Sequence, residues 1–121
     1  MSIADHLGTY AEGWAKGDAD ILKSAMADDY TFDDPNFGKV PKDNMGEYMA
    51  AFKEQILSAR GDLPDQILEI TEIVTQEEED SMTVWCWWAV PGTEIKGGGL
   101  IKVGPEGIRS EVITYYTKLP D

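Results

Sequence analysis

The sequence has 121 residues, the size of one ordinary domain, and we therefore expect a single domain over residues 1–121. Hydrophobic residues make up 42% and charged residues 27% of the chain, which excludes a disordered protein, and no apolar run approaches the ~20 residues of a membrane span. The net charge of −13 repels phosphate and anionic lipid, so we expect no nucleic acid and no membrane as partner.

The cysteine count and the first residues indicate where the protein resides. The one cysteine cannot form an internal disulfide. The segment Met1–Gly8 contains Asp5 and has neither the basic region nor the apolar region of a secretion signal. We therefore expect an untargeted, cytoplasmic protein.

Three helices are predicted in the first half of the chain. The first carries an apolar stripe at steps of four and three, formed by Ile3, Leu7, Tyr10 and Trp14, and it ends at Gly17. Asp18 can cap a short second helix that ends at Asp28 and Asp29. Asp43 can cap a third, whose apolar residues repeat at steps of three and four as far as Arg60.

The second half of the chain has the period of β-strands. From Gln66 onward apolar and polar residues alternate, and turns rich in Gly, Pro or acidic residues separate four strands near 66–76, 81–90, 93–103 and 108–118. Tyr30–Asp33 adds a short strand that the Asp34-Pro35-Asn36 turn stops. We predict an α+β fold: three helices packed in the concave face of a strongly bent antiparallel sheet of four long strands plus a short one.

Three of the four tryptophans lie in one predicted strand. Alternation places Trp85 and Trp87 on one face, and Cys86 and Trp88 on the other, so both faces need apolar cover. One face would line a cavity and the other would meet a partner, which predicts a homodimer through the sheet. The pattern leaves open which face is which, and the alternative of a single thick core is hard to build with helices on one side only.

Other kinds of site have little support in the sequence. His6 is the only histidine, no Cys or His has metal-ligand spacing, and we expect no metal and no other cofactor. Gly97-Gly98-Gly99 falls within a predicted strand, so it indicates a bulge or a close backbone approach rather than a phosphate loop. Cys86 has no cationic neighbour that would activate it, and we interpret it as buried filling.

Residues 10–35 resemble a known family. A first helix that includes Tyr10, the Gly17-Asp18 break, the run Ala27–Tyr30 and a strand that leads into Asp34-Pro35 are similar to the nuclear transport factor 2-like superfamily. The nearest resemblance is to the ketosteroid isomerases and the SnoaL-like polyketide cyclases, and the order of elements matches over essentially the whole chain. The resemblance implies a cone-shaped fold with an internal pocket, and many members of the superfamily are dimers.

The resemblance also implies site residues. In the ketosteroid isomerases the tyrosine of the first helix donates to the developing enolate and the aspartate before the proline moves the proton. Tyr10 and Asp34 stand at the matching places, 24 residues apart as in the family. The alternatives are a core role for Tyr10 and a turn-capping role for Asp34. The family's second oxyanion donor, an acid, has no counterpart in residues 95–103.

Glu111 is a further candidate, in the last predicted strand. Alternation puts Arg109, Glu111, Ile113 and Tyr115 on one face, and the resemblance suggests that this face lines the cavity. A carboxyl there could replace the missing donor, and burial opposite Asp34 would raise at least one of the two pKa values. The alternative is a solvated ion pair between Arg109 and Glu111.

We therefore predict a small-molecule enzyme that uses cofactor-free general acid–base chemistry on a hydrophobic ketone-like or polycyclic substrate, as an isomerase or a cyclase. Asp34 would be the base, Tyr10 the oxyanion donor and Glu111 an auxiliary acid. The predicted substrate-binding residues are Trp14, Phe32, Tyr48, Phe52, Trp85, Trp87, Ile113 and Tyr115. The alternative is a non-catalytic member of the superfamily that binds a ligand or a protein through the same cone.

Overall fold

The computed structural model describes residues 2–116 as helices packed on one curved, open sheet. The helices are α1 (Ile3–Lys16), α2 (Ala19–Ser24) and α3 (Met45–Arg60). The strands are β1 (Met26–Asp34), β2 (Gly38–Pro41), β3 (Glu69–Glu77), β4 (Met82–Ala89), β5 (Lys96–Gly104) and β6 (Gly107–Tyr115), in the spatial order β2-β1-β6-β5-β4-β3. The predicted α+β class is confirmed.

The end of the first helix and the start of the second lie where local signals placed them. Gly17 ends α1 in the left-handed conformation, with φ 66°, which glycine adopts without steric cost. The Asp18 side chain then accepts hydrogen bonds from the N–H groups of Asp20 and Ile21, so it caps α2 as predicted.

The prediction for the segment after α2 was wrong in two respects. Helix α2 ends at Ser24 rather than at Asp28–Asp29, and β1 has nine residues from Met26 onward. The cause is pairing with β6: the Ile108 N–H donates to the Ala25 carbonyl oxygen at 2.8 Å, and Met26 pairs with Ile108. Strand β1 runs parallel to β6, so the sheet is not antiparallel throughout.

Two further differences concern residues 38–45. Strand β2 pairs with β1 across the Asp34-Pro35-Asn36 turn, and four exposed or half-buried residues are too few to show alternation in the sequence. Asp43 lies in a 3-10 turn over Lys42–Asn44 and is not the N-cap of α3, a position that Asn44 occupies without a side-chain hydrogen bond. The four later strands lie within three residues of their predicted bounds, except that residues 117–118 are outside the described residues.

The glycine run in β5 is a place of close approach and not a bulge. Residues 97–99 pair in regular register with β4 and β6. A Cβ atom at Gly97 would lie 2.2 Å from the Thr114 carbonyl oxygen and 2.4 Å from the Trp88 ring, and one at Gly99 would lie 2.3 Å from Glu111 Oε2. The run therefore makes room for Trp88 and Glu111 on the inner face of the sheet.

A β-bulge occurs in β6. Lys102 pairs with Ser110 and Val103 with Ile108, so Arg109 is the extra residue that has no partner on β5. The bulge resets the alternation of β6, and both Ile108 and Glu111 are buried while Arg109 is exposed. The inner faces of β1, β4, β5 and β6 pack with α1 and α3 into one core. None of the described helices is long and apolar enough to cross a membrane.

Candidate active site

A narrow cavity lies between α1, α3 and the inner face of the sheet. The centre of a water molecule can occupy about 50 Å³ of it, enough for a few waters. Its walls are largely aromatic and include Tyr10, Trp14, Phe32, Tyr48, Phe52 and Trp88. Among the described residues that line it, Glu111 is the one that carries a carboxyl group.

Glu111 is buried in this apolar wall, with 5% of its surface exposed. The Tyr10 hydroxyl donates a hydrogen bond to Glu111 Oε1 at 2.5 Å. Burial raises the pKa of Glu111 to about 7, although the Tyr10 hydroxyl and the nearby Trp14 N–H oppose the rise. The carboxyl is therefore near half protonation at neutral pH.

The alternative of an ion pair between Arg109 and Glu111 is wrong. The bulge turns Arg109 away from the cavity, and its guanidinium lies 3.6 Å from the Asp29 carboxylate at the protein surface. Both members of that surface pair are more than half exposed. No basic side chain in the described part of the chain stabilises the charged form of Glu111, and burial is the largest influence on its pKa.

Tyr10 links Glu111 to a second buried tyrosine. The Tyr10 and Tyr30 hydroxyls are 2.6 Å apart, and because Tyr10 gives its one hydroxyl proton to Glu111, Tyr30 is the donor in this hydrogen bond. Burial, and next the charge of Glu111, raise the pKa of Tyr10 well above 10, so the phenol remains a neutral donor. Tyr30 was not among the predicted site residues, although Tyr30, Phe32 and Asp34 alternate on the buried face of β1.

Asp34 is fully buried at the end of β1, but its carboxylate does not line the cavity. Oδ2 accepts from the Tyr48 hydroxyl at 2.5 Å and from the Tyr115 hydroxyl at 2.9 Å, and Oδ1 accepts from the Asn36 N–H at 2.7 Å. Asp34 thus stabilises its own turn and reaches the cavity wall only through Tyr48. Burial raises the pKa of both tyrosines, so their hydroxyls stay protonated.

The structure places most of the remaining predicted substrate-binding residues around the cavity. Trp14, Phe32, Tyr48, Phe52 and Ile113 line it. Tyr115 faces inward beside it, 5.6 Å from Trp88 between ring centroids.

Trp85 and Trp87 were assigned to the wrong face. Alternation along β4 buries Cys86 and Trp88 towards the helices and places Trp85 and Trp87 on the outer face of the sheet. The cavity residues that the assignment missed in this strand are therefore Val84, Cys86 and Trp88. Burial raises the pKa of the Cys86 thiol to about 12, so it stays protonated and acts as apolar filling.

No metal-binding arrangement occurs in the described part of the chain, where no three His, Cys, Asp or Glu side chains are grouped to hold an ion. The site contains a carboxyl that can gain and lose a proton near neutral pH, together with neutral phenols and aromatic walls. This combination can bind a small apolar molecule and exchange one proton with it.

Comparison with known proteins gives a consistent picture. A family model described as a SnoaL-like domain matches residues 7–118, whereas comparison with curated protein sequences gave no significant match. A solved structure with a cystatin-like fold from Nostoc punctiforme has a TM-score of 0.68 at 12% identity, over 98% of this chain and 92% of that one. An NTF2-like protein from Anabaena variabilis has a TM-score of 0.66 at 15% identity, over 96% and 88%.

A third solved structure carries a functional description. The Xanthomonas campestris protein provisionally described as a polyketide cyclase has a TM-score of 0.60 at 12% identity, over 92% of this chain and 87% of that one. At such identities the likeness shows the fold alone.

Proposed function

The chain belongs to the SnoaL-like domain family, and from that premise we propose that it is a small-molecule enzyme that transfers a proton to and from a hydrophobic carbonyl compound without a cofactor. The observation that carries the proposal is Glu111, a carboxyl in an apolar cavity whose pKa burial raises to about 7. A group with that pKa can accept a proton and return it at neutral pH.

Glu111 would be the base of this reaction. The C–H bond next to the substrate's carbonyl breaks, the proton goes to the Glu111 carboxylate, and the electron pair of the bond moves towards the carbonyl oxygen to give an enolate. Return of the proton at another carbon completes an isomerisation. Alternatively, the enolate carbon attacks a second carbonyl, which forms a C–C bond and an alkoxide, and return of the proton from Glu111 to the alkoxide completes a cyclisation. The hydrogen bond from Tyr10 holds the carboxyl in place.

This assignment changes the roles that the resemblance implies for Tyr10 and Asp34. Tyr10 donates to Glu111 and would position the base instead of binding the enolate. Asp34 has its oxygens occupied by Tyr48, Tyr115 and the Asn36 amide, and would be a positioning residue for Tyr48. Glu111 would be the main base rather than an auxiliary acid.

The size and charge of the site restrict the substrate. The cavity volume is small: the centre of a water molecule can move through about 50 Å³ of it. Such a volume suits a one-ring ketone better than a polycyclic compound. Anions are disfavoured by a net charge of −13 and by the lack of a basic side chain among the described residues that line the cavity. We therefore propose a small, uncharged, cyclic ketone as the substrate class.

Hydrogen–deuterium exchange tests the proposal. In D2O the protein should accelerate deuterium incorporation next to the carbonyl of cyclopentanone, cyclohexanone or 3-cyclohexenone above the buffer rate, as followed by proton NMR. The 3-cyclohexenone should also isomerise to its conjugated form. If no ketone of this series exchanges faster than with heat-denatured protein, the enzyme proposal fails.

A binding protein without catalysis is the second candidate function. It is favoured by Asp34, which binds the Asn36 amide of its own turn and so behaves as a structural residue. In that case the ketones would bind in the cavity, as shown by chemical-shift changes of its aromatic residues, and no exchange would occur. The same samples distinguish the two functions.

The outer face of the sheet supports a second proposal, a homodimer. Val74, Trp85, Leu100 and Val112 are cross-strand neighbours on β3, β4, β5 and β6 and form what we name the outer stripe. Val74 is 58% and Val112 48% exposed. A contiguous apolar row on an otherwise strongly acidic protein suits contact with a second copy through the same face.

A charge in the outer stripe should separate the two copies. Leu100→Glu would place two carboxylates near the symmetry axis of the interface, so we expect a monomer at micromolar concentration where the parent is a dimer. The matched control is Leu57→Glu, at an equally exposed position on α3. Light scattering coupled to size exclusion measures the mass, and a monomeric parent protein would contradict the proposal.

A further inference from the structure

The indole N–H of Trp14 is a buried donor without an acceptor. Trp14 is 7% exposed, and within residues 2–116 its Nε1 atom has no hydrogen-bond partner. Its ring lines the cavity and makes edge contacts with Tyr10, Tyr48 and Phe52. Because buried donors in folded proteins are nearly always paired, this one indicates an acceptor that is supplied from outside the chain.

The unpaired N–H lies beside the carboxyl of the cavity. It is close enough to Glu111 to lower the pKa of that carboxyl, but the contact falls short of the distance and angle of a full hydrogen bond. An acceptor atom placed at the indole N–H would therefore lie near Glu111, and the carbon next to that atom could face the carboxyl. The cavity wall thus holds one unpaired donor next to one carboxyl, whereas the hydroxyls of Tyr10 and Tyr48 in the same wall are already engaged.

We propose that the Trp14 N–H binds the carbonyl oxygen of the ligand, and so selects uncharged carbonyl compounds. The inference rests on the proposed function, because it takes the bound ligand to be the substrate. In the reaction, negative charge develops on the carbonyl oxygen as Glu111 takes the proton, and a hydrogen bond from the indole becomes stronger at that moment. Trp14 would then supply the oxyanion donor that Tyr10 does not.

A cationic ligand is the main competitor for this cavity. Aromatic walls and a carboxyl are also what binds an ammonium group, through cation–π contacts and charge. An ammonium has only donors, however, and would leave the Trp14 N–H unpaired in the apolar wall. A carbonyl compound pairs that N–H and brings no charge into the cavity, so the observed donor favours it.

The experiment compares three ligands of one shape: cyclopentanone, methylenecyclopentane and cyclopentylamine. The protein is labelled with 15N, and its four indole signals are assigned with Trp85→Phe, Trp87→Phe and Trp88→Phe, which leaves Trp14 by elimination. We expect cyclopentanone to shift the Trp14 indole signal and to bind about tenfold more tightly than methylenecyclopentane, as one added hydrogen bond predicts.

Trp14→Phe keeps an aromatic ring and removes the donor. We expect it to reduce the preference for the ketone over the hydrocarbon to about one, whereas Trp88→Phe, in the same cavity, should change the affinity for both ligands equally. If Trp14→Phe does not fold, the change of the Trp14 indole signal on addition of cyclopentanone to the parent protein is the test of the inference.

Three results would overturn the inference: a ketone that binds no more tightly than the hydrocarbon or not at all, an unchanged Trp14 signal, or tighter binding of the amine. These are binding measurements only. A protein that binds cyclopentanone through Trp14 but exchanges no proton would overturn the proposed function and leave the carbonyl-binding role of Trp14 standing, so the two failures are distinguishable.

Discussion

Glu111→Gln is expected to reduce ketone proton exchange by a factor of about a hundred or more, because the amide cannot accept a proton from carbon. Glutamine has nearly the same shape as glutamate and can still accept the Tyr10 hydrogen bond through its carbonyl oxygen, so the fold should be retained. The measurement is the rate of deuterium incorporation into the fastest ketone, with circular dichroism as the check on folding.

Two comparison variants make this result specific. Glu106→Gln, in the exposed turn between β5 and β6, removes the same charge and should leave the rate unchanged. Asp34→Asn should reduce the rate less than Glu111→Gln, because Asp34 acts through Tyr48. If instead Asp34→Asn abolishes exchange while Glu111→Gln retains it, the roles implied by the family resemblance are correct and ours are wrong.

The second large effect concerns stability. The pKa of Glu111 is raised from its ordinary value of 4.5 to about 7 in the folded protein, so between these values the folded state binds more protons than the unfolded state. The free energy of unfolding therefore falls as the pH rises through this range, by about 3 kcal/mol for this group. Below pH 4.5 the carboxyl is protonated in both the folded and the unfolded state, so Glu111 no longer lowers the free energy of unfolding.

Glu111→Gln should remove this dependence. We expect the variant to approach the stability of the parent near pH 4.5 and to exceed it by up to about 3 kcal/mol at pH 8, because glutamine has no charge to bury. Urea unfolding of both proteins at a series of pH values gives the difference, in which the contributions of the other acidic residues cancel. A difference that does not change between pH 4.5 and pH 8 would contradict the assignment.

Local signals in the sequence predicted much of the fold. Gly17 and Asp18 act on their immediate neighbours, so the end of α1 and the start of α2 could be read directly. The long strands were found because hairpin turns separate them. The length and direction of β1 were not predictable in this way, because they depend on pairing with β6, whose residues come at the other end of the chain.

The sequence could predict which residues belong to the candidate site better than it could predict which of them pair with one another. Tyr10, Asp34 and Glu111 are all buried, but Tyr10 pairs with Glu111 and Asp34 pairs with two tyrosines from other elements. Alternation alone could not separate Glu111 from Arg109, because the bulge that does so is a property of the pairing with β5. The sequence likewise could not decide which face of β4 meets the helices.

The protonation of Glu111 in the folded protein is the most direct test of the account. The carboxyl carbon of Glu111, labelled with 13C and identified by its absence in Glu111→Gln, can be followed by NMR from pH 4 to pH 9. We expect a midpoint at about pH 7, well above the ordinary value of 4.5 for a glutamate. A midpoint at or below 4.5 would show a carboxyl that is fully ionised at neutral pH, and would contradict the role of Glu111 as the acid–base group.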